Sequence, residues 1–172
     1  GIKSQKDIKM TGYAIQCRIT TEDPANGFAP DTGTIELYRS SSGYGIRLDG
    51  GNGFTGAVVS PYYDSLLVKM TAYARSFEAA TNKAIRALRE TEIKGVKTNI
   101  GFLLNVLNHP TFRAGKCDTG FIANNPELLN IRKVDDKELK VLNYIGNKVV
   151  NETKGHKPQF SVPVFPKIPM TE

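Results

Sequence analysis

Arg47 is the residue best suited to chemistry. It stands between Ile46 and Leu48 in a run bounded by Gly43, Gly45 and Gly50. A guanidinium keeps its charge at any ordinary pH and offers five N–H donors in a fixed plane. Held mid-strand, it suits stabilisation of an anion; the competing reading is a salt-bridged or solvent-facing arginine. Pro61-Tyr62-Tyr63-Asp64-Ser65 gathers two phenols and a carboxylate at the entry to an apolar run. A tyrosine-supported turn has the same composition. Glu22-Asp23 has the residue types for acid–base work. Pro24 places the pair in a loop with no basic residue in register, which favours a structural role. The glycine clusters at 43–45 and 50–56 lack a Gly-Lys-Ser/Thr ending and a dinucleotide fingerprint, and read as turns. Cys17 and Cys117 are far apart, with no histidine near either. His109 and His156 lack metal-ligand spacing. No disulfide, metal site or cysteine nucleophile is expected.

These groups need elements to position them. Tyr13, Ile15, Cys17 and Ile19 alternate, so 13–19 reads as a strand. Further strands are expected at 34–39, 45–49, 58–59 and 66–73. Turn residues at 40–43 predict a hairpin between the second and third. Ser76 is placed to cap a helix running to about residue 90, with Phe77, Ala80, Ala84, Ala87 and Leu88 at helical spacing. Thr98 or Asn99 opens a second helix with Ile100, Leu103, Leu104 and Leu107 inward, closed by Pro110. Asn125-Pro126 starts a short helix. Asp135 or Asp136 starts another, with Leu139, Leu142 and Ile145 inward and Gly146 after its end. The fold class is α+β: a mostly antiparallel, barrel-like sheet followed by packed helices.

The 172 residues suffice for one domain plus a tail, and 40% hydrophobic against 23% charged residues allows a buried core. No apolar run approaches 18 residues, and no secretory h-region opens the chain, so a cytoplasmic location is expected. The net charge of +6 permits acidic partners. However, Lys83, Arg86 and Arg89 read as a solvated helix face, and no aromatics interleave with basic residues; neither nucleic acid nor membrane is expected as a partner. Gly1 in place of Met, and prolines 158, 163, 166 and 169 near the end, predict a piece cut from a longer polypeptide. The proline-rich stretch reads as an extended linker.

Several motifs, taken together, identify a family. Gly12-Tyr13-Ala14-Ile15-Gln16-Cys17-Arg18-Ile19-Thr20-Thr21-Glu22-Asp23-Pro24 resembles the start of the C-terminal domain of biotin carboxylases, as does Pro30-Asp31-Thr32-Gly33-Thr34-Ile35. Tyr38-Arg39-Ser40, Gly43-Tyr44-Gly45-Ile46-Arg47-Leu48-Asp49, Pro61-Tyr62-Tyr63-Asp64-Ser65 and Gly95-Val96-Lys97-Thr98-Asn99 follow in family order. The resemblance divides the chain into a linker from an ATP-grasp region (1–9), the C-terminal domain (10–130), a helical connector (131–147) and an extended linker (148–172). Thr20-Thr21-Glu22-Asp23-Pro24, Tyr38-Arg39-Ser40 and Leu142-Asn143-Tyr144-Ile145-Gly146-Asn147 are most similar to the pyruvate carboxylase branch.

The resemblance implies an ATP-dependent ligase that makes oxaloacetate from pyruvate and bicarbonate with biotin on a separate carrier domain. It implies Arg47 as the guanidinium that stabilises the ureido anion of biotin, with Tyr62, Tyr63 and Asp64 on the wall of that site. Thr119 and Gly120 match positions near adenine. The lysines and glutamates that bind ATP and Mg precede this segment in the family, so it would form one wall of an active site and not turn over alone. The implied partners are the ATP-grasp, carboxyltransferase and biotin carrier domains, in a homotetramer with biotin carboxylase dimers. Some members bind the activator acetyl-CoA through arginines whose matching positions here are Glu92, Lys94 and Lys137. Glutamate repels phosphate and lysine lacks the bidentate fork, so weak or absent activation is expected. Two alternatives stay open: the biotin carboxylase of an acyl-CoA carboxylase, and a non-catalytic nucleotide-binding or assembly module. For the fragment reading, surface made to face the missing ATP-grasp region is expected to leave an exposed apolar patch.

Overall fold

The computed structural model describes residues 1, 4–131 and 136–151, with side chains through 131 and again over 141–149. The chain divides into two compact units, Gly1–Arg132 and Lys133–Glu172.

Alternation along three strands builds the centre of the larger unit. β1 (Tyr13–Thr20), β6 (Ile46–Gly50) and β8 (Leu66–Ala74) form an antiparallel sheet in the order β1-β8-β6. Register places Cys17 opposite Met70 and Met70 opposite Leu48, with Ile15, Ala72 and Ile46 in the next row. This face is covered by α1 (Phe77–Glu90). The core between them contains Cys17, Ile19, Val68, Met70, Ala72, Ala84, Ile85, Ala87 and Leu88. Ser76 caps α1 as its sequence predicts, its hydroxyl accepting the Ala79 N–H at 3.2 Å. Burial pushes the Cys17 thiol up to about 11, which keeps it protonated and inert.

Short strands surround this sheet. β2 (Glu22–Asp23) pairs with β3 (Ala29–Pro30), β4 (Gly33–Thr34) with β7 (Val58–Val59), and β5 (Leu37–Arg39) with β9 (Glu92–Lys94). The fold is α+β with antiparallel sheets, but the strands of the described residues do not close into a barrel. The hairpin expected across 40–43 does not form, because β5 pairs with β9 and β6 with β8. Ser41 shows why. It is buried, its N–H donates to Thr91 Oγ1 at 3.4 Å and its hydroxyl lies 3.9 Å from the Met70 sulfur, so 40–42 is a crossover, and the turn that follows at 43–45 leads into β6 without pairing it to β5. The single strand expected at 34–39 is likewise split. Ile35 is fully buried and donates to Ala57, while Glu36 donates to Lys94, so the chain changes partner there.

Asn99 starts α2 (Ile100–Asn108), yet its side chain makes no capping bond. Its Oδ1 instead accepts the Thr20 N–H at 3.1 Å, and its Nδ2 donates to the Arg18 carbonyl at 3.0 Å. A buried amide thus fastens the helix to the end of β1. Pro110 closes α2 and also opens α3 (Pro110–Arg113), at the first helical position where its missing N–H is harmless. A smaller core of Phe102, Phe121 and Leu128 holds α2, α3 and the 3₁₀ turn Pro126–Leu129 together.

In the second unit, α4 spans Asp136–Asn151. Gly146 lies inside it, and the helix runs on through Val149 into the stretch expected to be extended linker. A glycine outside the left-handed region weakens a helix by about 1 kcal/mol without ending it. Leu142 and Ile145, expected inward, are exposed. The remaining linker residues, 152–172, lie outside the described set.

Candidate functional site

The outer face of the β1-β8-β6 sheet is polar because its residues are one step out of phase with the core. Gln16, Thr71 and Arg47 form one row, and Arg18, Lys69 and Asp49 the next. Gln16 Nε2 donates to Thr71 Oγ1 at 3.2 Å. Arg47 is held in its row by Asp49, two residues on and therefore on the same face. Arg47 Nε and Nη2 donate to Asp49 Oδ1 at 3.0 and 2.9 Å. The Arg47 side chain is 77% exposed. Of its five N–H donors, two point at Asp49, so three remain for an incoming acceptor. Asp49 was missed by sequence reasoning; the i, i+2 spacing on a strand was the available signal.

Arg18 reaches from this face to Asp64, with 3.6 Å between Nη2 and Oδ2. Asp64 Oδ1 also accepts the Leu66 N–H at 3.1 Å, turning the chain into β8. The structure thereby brings Asp64 to the sheet that carries Arg47. Tyr62 and Tyr63 precede it on an open loop, 88% and 78% exposed. Tyr44, Phe54 and Val58 are likewise exposed. Among the described residues no hydrogen bond or ion pair joins either tyrosine to Arg47.

Thr119 and Gly120 lie on the loop before Phe121. The Gly120 N–H donates to Asp118 Oδ1 at 3.0 Å, and among the described residues no hydrogen bond or ion pair joins Thr119 or Gly120 to Arg47. Glu92 and Lys94 lie on β9. The Glu92 carboxylate accepts from Arg39 at 2.7 Å and from Lys94 at 2.9 Å, and these two cations hold it below the usual carboxylate range. Lys137 falls on α4 with its side chain outside the described set.

The Glu22-Asp23 pair is structural. Glu22 accepts from Thr20 Oγ1 at 3.0 Å and Ser65 Oγ at 2.8 Å. Asp23 does have a basic partner, Lys97, from 74 positions away. The glycines at 51 and 53 let the loop lie flat on the sheet. A Cβ on Gly51 would sit 2.7 Å from the Leu66 carbonyl, and one on Gly53 2.7 Å from the Tyr38 ring. Cys17 and Cys117 are free. Among the described residues no His, Cys, Asp or Glu group of three or more is placed to hold a metal. No helix of the described residues is long and apolar enough to cross a membrane.

An exposed guanidinium with unspent donors, steadied by one carboxylate on a rigid sheet, fits a neutral acceptor oxygen that gains negative charge. The ureido oxygen of biotin is such an acceptor, so the residues present fit that group.

Known proteins resemble the chain across this region. The family model described as the biotin carboxylase C-terminal domain matches residues 16–124. A pyruvate carboxylase of Staphylococcus aureus is 54% identical over 168 residues, 95% of this chain and 15% of that protein. The chain therefore spans about 15% of the length of such curated relatives. A Rhizobium etli pyruvate carboxylase solved with the allosteric activator acetyl coenzyme-A superposes with a TM-score of 0.75 at 43% identity, covering 100% of this chain and 18% of that one. The biotin carboxylase domain dimer of a Hydrogenobacter thermophilus 2-oxoglutarate carboxylase, in complex with MgADP and bicarbonate, gives a TM-score of 0.70 at 43% identity, covering 73% and 28%.

Proposed function

This chain belongs to the biotin carboxylase C-terminal domain family, and from that premise we propose that it is one part of a longer biotin-dependent pyruvate carboxylase. That enzyme makes oxaloacetate from pyruvate, bicarbonate and ATP. The match to pyruvate carboxylases runs over 168 residues, well past the family model's end at 124, and this supports the pyruvate branch. Residues 10–130 are the domain, 1–9 lead in from an ATP-grasp region, and the segment from 131 leads toward carboxyltransferase and carrier domains. The whole polypeptide acts in the cytoplasm as a homotetramer with paired biotin carboxylase domains.

Biotin, when brought in on its carrier, supplies the ureido nitrogen that takes up the carboxyl group. Arg47 donates to the ureido oxygen and holds negative charge there, binding the transition state more tightly than the ground state. Asp49 fixes the guanidinium plane while leaving three donors free. Asp64, Tyr62 and Tyr63 form the wall of the site beside the Arg18 end of the sheet. ATP and Mg are held chiefly by the ATP-grasp region, with Thr119 and Gly120 at the nucleotide rim. Glu92 puts a carboxylate where the family's activator-binding members carry an arginine, and Lys94, bonded to it, lacks the bidentate fork, so acetyl-CoA activates this enzyme weakly or not at all.

The exposed, half-spent guanidinium of Arg47 carries the reading. The test is ATP- and bicarbonate-dependent oxaloacetate formation by the full polypeptide, wild type and Arg47→Ala. We expect activity in the wild type and a loss of at least about tenfold, roughly 1.4 kcal/mol of barrier, in the variant with its assembly intact. Carboxylation of a different 2-oxo acid or an acyl-CoA, with no oxaloacetate, overturns the pyruvate assignment. Full activity of Arg47→Ala overturns the role of Arg47.

A further inference from the structure

We infer that Lys83 is a positioning residue for Arg47, fastening the turn at 43–45 to helix α1. The inference rests on the reading of Arg47 given above. Lys83 belongs by sequence to a basic helix face, with Arg86 and Arg89, but it behaves differently from Arg86. Arg86 bonds the Glu90 carboxylate one turn along α1, at 2.9 Å to each oxygen. Lys83 is half-buried and reaches across to the sheet, where its Nζ donates to the Tyr73 carbonyl at 2.9 Å. The same ammonium lies 5.4 Å from the centroid of the Tyr44 ring, within cation–π range. One cation thus touches both the end of β8 and the aromatic residue of the turn.

Backbone bonds complete the connection. The Tyr73 N–H donates to the Gly45 carbonyl at 2.8 Å, and the Ile46 N–H closes the turn onto Gly43 at 3.1 Å. The peptide groups of Tyr73 therefore bond the turn through the N–H and Lys83 through the carbonyl. Gly45 has φ +78, and a Cβ there would strike the Lys83 ammonium and lie 2.7 Å from the Tyr73 carbonyl. Glycine is required at that position for conformation and for the space Lys83 fills. Arg47 follows two residues later, at the start of an edge strand whose only ladder partner among the described residues is β8. The other end of β6 is tied by Gly51, whose N–H donates to the Leu67 carbonyl at 2.9 Å. Without Lys83, the upstream end of the strand would keep the Gly45–Tyr73 bond and its pairing to β8, but would lose the polar tie that runs from α1 to Tyr73 and Tyr44. Tyr44, 95% exposed, would lose the Lys83 ammonium that lies over its ring. A displacement of about an ångström at a group that must meet a developing charge lowers turnover without touching distant binding sites.

The test compares Lys83→Met, Lys83→Arg and Arg47→Ala in the full polypeptide, reading hydrogen exchange over 43–48 and 71–75 alongside kcat and the KM for ATP. We expect Lys83→Met to speed exchange in both segments by about tenfold, and to lower kcat several-fold while KM for ATP stays unchanged. Lys83→Arg, which keeps a cationic donor, should restore both readouts. Unchanged exchange in Lys83→Met overturns the fastening. Faster exchange with unchanged kcat, while Arg47→Ala is impaired, overturns the positioning and leaves the reading of Arg47 standing. If Arg47→Ala is itself fully active, the reading of Arg47 fails and the inference fails with it, whatever the exchange shows.

Discussion

The two faces of the β1-β8-β6 sheet are built by the same strands and do opposite work. Inward, Cys17, Ile19, Val68, Met70 and Ala72 are packed to near-zero exposure against α1. Outward, one residue out of step, Gln16, Arg18, Arg47, Asp49, Lys69 and Thr71 meet solvent in two polar rows. The inner face fixes where the strands are, and the outer face inherits that rigidity without supplying it. A chemical group placed outward is therefore held to within the tolerance of a core, yet can be changed without unfolding the domain.

The contrast is sharpest under substitution. Met70→Ala removes a fully buried side chain at the centre of the inner face. It should destabilise the domain by about 2–5 kcal/mol, seen as a lower unfolding midpoint. An effect under about 1 kcal/mol would mean the inner face is not the support of the outer one. Asn99→Ala attacks the join between β1 and α2. It strands the buried Thr20 N–H and the Arg18 carbonyl, at a cost of about 1–3 kcal/mol. Hydrogen exchange at Thr20 should rise with it, and unchanged exchange would assign the join to α2 packing alone. Arg47→Ala should show the reverse: a loss in turnover of at least about tenfold with the unfolding midpoint held within about 0.5 kcal/mol of wild type.

The inner face was legible in the sequence because its signal is local. Period-two alternation in β1 and the Ser76 cap with its helical spacing need no knowledge of partners. Arg47 stands out by its motif, since its mid-strand position alone fits a solvent-facing arginine equally well. What stayed hidden depends on contacts between distant residues. Nothing near residues 37–39 says that their partner is 92–94 and not 46–50. Ser41 looks like turn chemistry until it is seen buried against Met70. Asn99 has the residue type and place of a helix cap, but its side chain is spent on a strand 79–81 positions away. Lys83 reads as surface charge, and only the fold shows its ammonium against Tyr73 and Tyr44. Gly146 has the look of a helix stop because composition cannot tell a helical glycine from a left-handed one.

The smallest effect tests the loops at the margin of the two faces. Lys97 binds the Asp23 carboxylate, and its own N–H donates to Asp31 at 2.6 Å, joining the loop after β9 to the end of β2 and to the loop after β3. The Lys97 ammonium holds Asp23 below the ordinary carboxylate range, and Asp23 holds Lys97 above the ordinary amine range. A depressed carboxyl stabilises the fold above the unfolded value of about 3.9 and loses that contribution as pH falls through its folded value. A raised amine stabilises below about 10.4 and loses its contribution as pH rises through its folded value. The pair therefore acts over the whole interval between, and only weakly, because its lysine is exposed and screened by salt. Lys97→Met should lower the melting temperature slightly near pH 7, with the gap to wild type narrowing as pH falls below the carboxylate range and as salt rises. A gap that persists at pH 2 would mean that Lys97 acts through its backbone and aliphatic stem, and that this margin is held by packing like the inner face and not by charge.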